Sequence, residues 1–167
     1  NDIYLNGIKK LAKEYKKWIM IGSLIIKIQK NKLVNRSVLI DKSGRVRTYY
    51  DKIHMYDVNL SKKEKYFESK SFNPGKKIKT FNLPWGKIGL SICFDLRFPS
   101  LYRKLAKAGS LFLTVPSAFT ETTGKKHWHS LLRARAIENF CYIFAPAQGG
   151  THYNGRKTFG HSLIISP

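Results

Sequence analysis

The chain has 167 residues, 31 of them Lys or Arg against 10 Asp or Glu, for a formal net charge of +21 at pH 7; that length builds one domain with a sizeable core, and nothing suggests a second. The charge raises nucleic acid or an anionic membrane as partner. The basic residues fall singly or in pairs such as Lys9-Lys10, Lys16-Lys17, Lys62-Lys63 and Lys76-Lys77, with no basic tail, so a solvated outer face is favoured and a basic nucleic-acid module stays as the remote alternative. Ile8, Leu11, Ala12 and Tyr15 recur at helical spacing and predict an amphipathic helix over 2–17. Trp18 to Ile26 reads as a buried strand, too short an apolar run to span a bilayer. Leu33 to Ile40 and Val46 to Tyr50 flank Asp41-Lys-Ser-Gly44, a hairpin signature. Residues 57–79, with Asn73-Pro74-Gly75 as punctuation, predict a long irregular segment of the kind that carries function or mobility.

From Trp85 onward the pattern becomes α/β. Ile88, Leu90 and Ile92 alternate with Gly89, Ser91 and Cys93, so a strand ends at Cys93. Ser100 offers an N-cap to a helix striped by Leu101, Leu105 and Ala108 and closed by Gly109. Leu111 to Val115 is a strand, Trp128 to Asn139 a second helix, Cys141 to Ala147 a strand, and Gly160 to Ile165 the last strand. Asn1 stands directly before a helix and Pro167 follows strand-like residues with no closing element. A single domain, 1–167, cut at both ends is therefore expected, lacking an N-terminal strand and C-terminal elements.

Cys93 is the candidate for chemistry. A strand-to-helix junction aims unpaired N–H groups at whatever reacts with the sulfur, which suits a thiolate nucleophile; a small buried core cysteine is the other role open to it. With only Cys93 and Cys141, the chain shows neither a disulfide framework nor paired metal-ligand spacing; a reducing cytosol fits, and no signal-peptide pattern opens the chain. A cytoplasmic protein without membrane partner is expected. Cleaving a C–N bond with a thiol requires a cation or N–H donors for the oxyanion and a base that protonates the leaving nitrogen. Lys52 follows a predicted strand and is a plausible cation. The five histidines are scattered, and His127-Trp-His129 splays on a helix, so neither a metal nor a cofactor is expected.

Several blocks then stand together: Tyr50-Asp-Lys-Ile-His-Met-Tyr-Asp57, Pro84-Trp-Gly-Lys-Ile-Gly89, Cys93-Phe-Asp-Leu-Arg-Phe-Pro99, Thr123-Gly-Lys-Lys-His-Trp128, Leu131-Leu-Arg-Ala-Arg-Ala-Ile-Glu-Asn139 and Gly155-Arg-Lys-Thr-Phe-Gly-His-Ser162. In this order they resemble the nitrilase superfamily of carbon–nitrogen hydrolases from about Leu11 to Pro167, and within it the amidase branch that includes deaminated glutathione amidases and omega-amidases. The resemblance implies an α-β-β-α sandwich that pairs into a four-layer homodimer. It implies a Glu-Lys-Cys set in which Cys93 forms a thioester and releases ammonia, Lys52 and the backbone N–H of Phe94 steady the oxyanion, and Glu68 orients Lys52. The family's general-base glutamate falls upstream of Asn1, and Glu14 does not replace it. Ser100 and His129 stand where the family has glutamates. The implied activity is hydrolysis of a small linear amide bearing a carboxylate, which Arg97 or lysines near the pocket would attract. A catalytically impaired piece of such an amidase is the alternative.

Overall fold

A computed structural model describes residues 2–29, 32–62 and 64–167; Asn1, Lys30, Asn31 and the Lys63 of one basic pair lie outside the described residues. Helix α1 (Ile3–Glu14) starts because Asp2 caps it, accepting from the Leu5 N–H at 3.0 Å, and ends where Lys16 turns left-handed at φ 51°. Its inward face differs from the predicted stripe. Leu5, Ile8 and Ala12 pack inward against Ile21, Val38 and Ile40, while Leu11 and Tyr15 are exposed, Tyr15 lying beyond the end of the helix.

Those three residues belong to an antiparallel sheet of β1 (Ile19–Gln29), β2 (Lys32–Ile40) and β3 (Val46–Asp51), in spatial order β1-β2-β3. The expected buried strand is thus corrected: β1 is an edge strand that begins one residue later and runs three residues further than predicted, and only Ile21 along it is buried. The predicted hairpin between β2 and β3 is present. Gly44 takes φ 78° and donates to the Asp41 carbonyl at 2.9 Å, and a Cβ at Gly44 would lie 2.5 Å from the Lys9 carbonyl of α1.

Asp41 locks this turn. Its Oδ1 accepts from Ser43 Oγ at 2.6 Å, Ser43 N at 2.9 Å and Arg45 N at 3.0 Å, and its Oδ2 from Arg47 at 3.2 Å. The Ser43 hydroxyl above all holds the carboxyl well below the usual carboxylate range, against the opposing pull of burial. A folded-state pKa depressed in this way contributes stability that is present above the ordinary value near 3.8 and is lost as pH falls toward the folded value. Asp41→Asn is expected to cost about 1–2 kcal/mol at pH 6. Urea titrations should show that difference shrinking steadily below pH 3.8; a gap independent of pH would assign the effect to the turn's shape alone.

The segment predicted as irregular, 57–79, holds a two-stranded hairpin, β4 (Asp57–Asn59) with β5 (Lys65–Phe67), and a 3₁₀ turn at Glu68–Lys70. Three-residue strands are too short to display a period, which is why they read as loop. The second sheet has the order β12-β9-β8-β7-β6, from β6 (Lys79–Leu83), β7 (Gly86–Leu90), β8 (Phe112–Thr114), β9 (Tyr142–Ala145) and β12 (Leu163–Ile165). The three central strands are parallel and the two edges antiparallel. The parallel strands are joined by α2 (Pro99–Lys107) and α3 (Glu121–Asn139), and a small hairpin of β10 (Gly149–Thr151) and β11 (Lys157–Phe159) follows β9. The N-cap expectation for Ser100 is overturned: Pro99 is the first helical residue, its fixed φ suits that position, and Phe98 stands before it without a side-chain cap. Gly109, at φ 88°, does close the helix, its N–H bonded to the Ala106 carbonyl at 2.8 Å.

The four layers follow from three cores. Ala12 of α1 covers the outer face of the first sheet, and Leu39 and Tyr50 on its inner face meet Ile88, Leu90 and Ile92 of the second. Leu101, Tyr102 and Leu105 of α2 and Trp128, Leu132 and Ala136 of α3 close the far face over Leu113, Val115, Ile143 and Ala145. This is the α-β-β-α order that the motif blocks imply. Among the described residues no helix is long and apolar enough to cross a membrane.

Candidate active site

The parallel strands β7, β8 and β9 end on one side of the sheet, where open α/β sheets place their ligands. A cavity of about 890 Å³ opens there, lined among others by Asn35, Lys52, Glu68, Cys93, Phe94, Ser117, Gln148 and Arg156.

Cys93 reaches it on a turn that differs from the expected strand end. β7 stops at Leu90, Ser91 and Ile92 carry the chain on, and Cys93 opens a 3₁₀ turn, Cys93–Arg97, with φ 49°. A non-glycine residue in the left-handed region is strained and persists only where its surroundings enforce it. Here the Cys93 N–H donates to the Pro116 carbonyl at 2.9 Å and the Asp95 N–H to the Ile92 carbonyl at 3.1 Å. The thiol is half-buried. The Cys93 N–H is engaged by Pro116, whereas the N–H of Phe94, a residue that also lines the cavity, finds no acceptor among the described residues.

Lys52 follows the last residue of β3. Its N–H donates to the Asn35 carbonyl and its carbonyl accepts from Gly75 N–H at 2.8 Å, a crossing so close that a Cβ on Gly75 would collide with the Asp51 carbonyl. The Lys52 side chain is only 3% exposed, and its Nζ lies 2.5 Å from Glu68 Oε2. Glu68 is fixed in turn by Tyr56 N–H at 2.7 Å on the same oxygen and by Asn35 Nδ2 at 3.4 Å on the other. A buried ammonium needs such a partner, since burial without one is too costly to sustain the charge. Cys93, Lys52, Glu68 and Phe94 therefore face one cavity, although 41 positions of sequence separate Lys52 from Cys93.

Arg97 is corrected. Among the described residues it does not line the cavity: its guanidinium lies 3.2 Å from His127 Nδ1 and over the rings of Phe94 and Phe119. Burial first, and the Arg97 charge second, push the His127 pKa down, so this ring accepts from Arg97 at neutral pH. Of the lysines among the described residues, only Lys52 lines the cavity. His129 packs against Phe159 and His161 instead of the cavity.

Sequence reasoning missed the group that holds the Cys93 turn from behind. Asp95, fully buried, accepts from Tyr50 Oη at 2.8 Å, Ile92 N at 2.9 Å and His54 N at 3.1 Å, and His54 Nδ1 lies 2.7 Å away. Burial, reinforced by Asp95, pushes the Tyr50 phenol far above its ordinary value, so it remains a donor. His54 is held flat against Phe98, ring centroids 3.6 Å apart. Arg135 of α3 clamps the same turn through two bonds to the Leu96 carbonyl, at 2.9 and 3.1 Å. A carboxylate two residues after the cysteine was the signal available.

The carbon–nitrogen hydrolase family model matches residues 3–167. Deaminated glutathione amidases from Yersinia enterocolitica and Homo sapiens are 40% and 42% identical to the chain over 161 and 168 residues, covering 95% and 98% of it and 56% and 51% of their own lengths. The crystal structure of the Caenorhabditis elegans NitFhit protein superposes with a TM-score of 0.92 at 39% identity, over 98% of this chain and 40% of that one. Nit3 of Saccharomyces cerevisiae, a member of branch 10 of the nitrilase superfamily, gives 0.86 at 28% identity, over 97% of this chain and 56% of that one. The chain thus spans about half the length of the curated relatives it matches. With a family match running almost end to end on a shared four-layer architecture, this chain belongs to the carbon–nitrogen hydrolase family of the nitrilase superfamily.

Proposed function

We propose that this protein is an amidase that cleaves a small linear amide bearing a carboxylate, through a thioester on Cys93, with release of ammonia. The observation that carries the proposal is the convergence on one cavity of Cys93, Lys52 and Phe94, whose N–H has no acceptor among the described residues. The Cys93 thiolate attacks the amide carbon, and the carbonyl electron pair moves to oxygen. Lys52 Nζ and Phe94 N–H receive that oxyanion. The oxyanion collapses, the C–N bond breaks, and the nitrogen takes a proton and leaves as ammonia. Water then hydrolyses the thioester to a carboxylate and regenerates the thiol.

Glu68 acts as the positioning residue for Lys52. It is the only carboxylate lining the cavity among the described residues, and its engagement with Lys52 keeps it from proton transfer to Cys93. The base is proposed to be the glutamate that the family resemblance places upstream of Asn1. Similarity to deaminated glutathione amidases favours deaminated glutathione, or an omega-amide of a 2-oxo acid, as substrate.

The test is ammonia release from a panel of such amides, with mass spectrometry of rapidly quenched enzyme. An acyl adduct on the peptide containing Cys93 is expected; turnover with the acyl group elsewhere, or no turnover across the panel, would overturn the assignment. We also propose a cytoplasmic homodimer without nucleic-acid or membrane partners. In support of pairing, Ile137 and Phe140 at the end of α3 leave apolar surface exposed, and light scattering would read the mass directly.

A further inference from the structure

Two basic side chains line the cavity among the described residues, Lys52 and Arg156, and their electrostatic situations are opposite. Lys52 is neutralised by Glu68. Arg156 has no carboxylate within ion-pair distance among the described residues. It stands just before β11 on the β10–β11 hairpin, with its N–H bonded to Asn154 Oδ1 at 3.1 Å and its carbonyl accepting from His152 N at 2.9 Å. The hairpin is docked on the segment before α3 by the Thr120–Thr158 bridge and by Phe159 N–H donating to the Phe119 carbonyl at 2.9 Å. Arg156 is therefore built into the cavity wall and does not sweep freely through solvent.

Its donors are underused. Nη2 donates to the Ala118 carbonyl at 2.5 Å, the guanidinium sits 5.4 Å from the Tyr66 ring centroid, and Nε is buried with no partner. The acidic side chains that line a cleft with Arg156 are already engaged. Glu64 and Glu121 share a shallow cleft with Arg156, but Glu64 accepts from Tyr66 Oη at 3.2 Å and Thr122 Oγ1 at 3.1 Å, and Glu121 pairs with Lys125 at 2.9 Å. An arginine held in a cavity wall by one carbonyl and one ring, without an anion, presents the planar fork that carboxylates fit.

We propose that Arg156 is the anion subsite of this cavity: it binds the carboxylate at the far end of a linear amide whose scissile carbonyl lies at Cys93. This deepens the amidase reading and rests on it for the identity of the scissile group, while the anion subsite itself stands on Arg156. The subsite makes selectivity a matter of charge at the remote end. A neutral amide of the same length gains nothing from Arg156, whereas an amide with a terminal carboxylate is both held and oriented.

The test compares glutaramate with its methyl ester as substrates of the full chain, and titrates glutarate calorimetrically. In Arg156→Met, the ratio of kcat/KM for the acid over the ester is expected to fall about 10- to 100-fold, with the acid's loss in KM. Glutarate affinity should fall by a similar factor. Arg156→Lys keeps the charge without the fork and should lie between wild type and Arg156→Met on both measures, which separates anion recognition from damage to the hairpin. An unchanged ratio, or glutarate affinity equal in all three proteins, overturns the subsite. If neither substrate is hydrolysed yet glutarate binds in an Arg156-dependent manner, the amidase reading fails and the anion subsite stands; no glutarate binding to wild type overturns the subsite.

Discussion

Amide hydrolysis is expected to fall by about 10⁴- to 10⁶-fold when Cys93 is replaced by alanine, because the covalent route disappears with the sulfur. The same loss should follow Cys93→Ser. A hydroxyl on that turn has a far higher pKa than a thiol, and Lys52 in the same cavity is already paired with Glu68. Lys52→Met is expected to lower kcat by about 10²- to 10³-fold, the usual cost of one oxyanion donor. It also strips Glu68 of its ammonium partner, so part of its effect will appear as lost stability. The two substitutions act on one intermediate and should not add: Cys93→Ala with Lys52→Met should be no slower than Cys93→Ala alone. Steady-state ammonia assays on the three proteins decide the matter. A Cys93→Ala protein retaining more than a hundredth of wild-type activity would show that the cavity works without the thiol.

The sequence made the strand leading to Cys93 and the β2–β3 hairpin legible because both are local. Ile88, Leu90 and Ile92 alternate along a strand whose far face is narrowed by Gly89, and the turn needs only Asp41, Ser43 and Gly44 in fixed order. The start of α3 was not legible. Its first turns bury Thr123 and Gly124 in place of a large apolar stripe, and Gly124 is there because Phe159, from a hairpin 35 residues on, presses where a Cβ would stand. Glu68 was legible only through the family pattern, and Lys52 only as a plausible cation that sequence spacing could not bring to Cys93. Their meeting depends on β4 and β5, strands too short to announce themselves. Arg156 stands in the Gly155–Ser162 block with nothing local to give it a role, since only the docking of its hairpin beside Phe119 puts it in the cavity.

Asp95 carries the second large expected effect. Its carboxylate gathers donors from three places: Tyr50 at the end of β3, His54 just beyond Lys52, and Ile92 just before Cys93. It is therefore the point where the segment bearing Lys52 and the turn bearing Cys93 are pinned together. Asp95→Ala strands the Tyr50 hydroxyl and two backbone N–H groups without an acceptor, and is expected to cost on the order of 3–5 kcal/mol of stability. Asp95→Asn keeps the size but sets an amide NH₂ against groups that all donate, so it should cost less and still disturb the turn. The informative readout is chemical. In the folded fraction of Asp95→Asn, iodoacetamide should alkylate Cys93 at a rate clearly different from wild type, because the left-handed turn at Cys93 is enforced in part by the Ile92–Asp95 bond. His54→Asn removes the ring stacked on Phe98 but leaves the His54 backbone donor to Asp95 in place, and should shift alkylation much less. If Asp95→Asn and His54→Asn lose stability equally and neither changes the reactivity of Cys93, Asp95 is a core contact with no hold on the nucleophile.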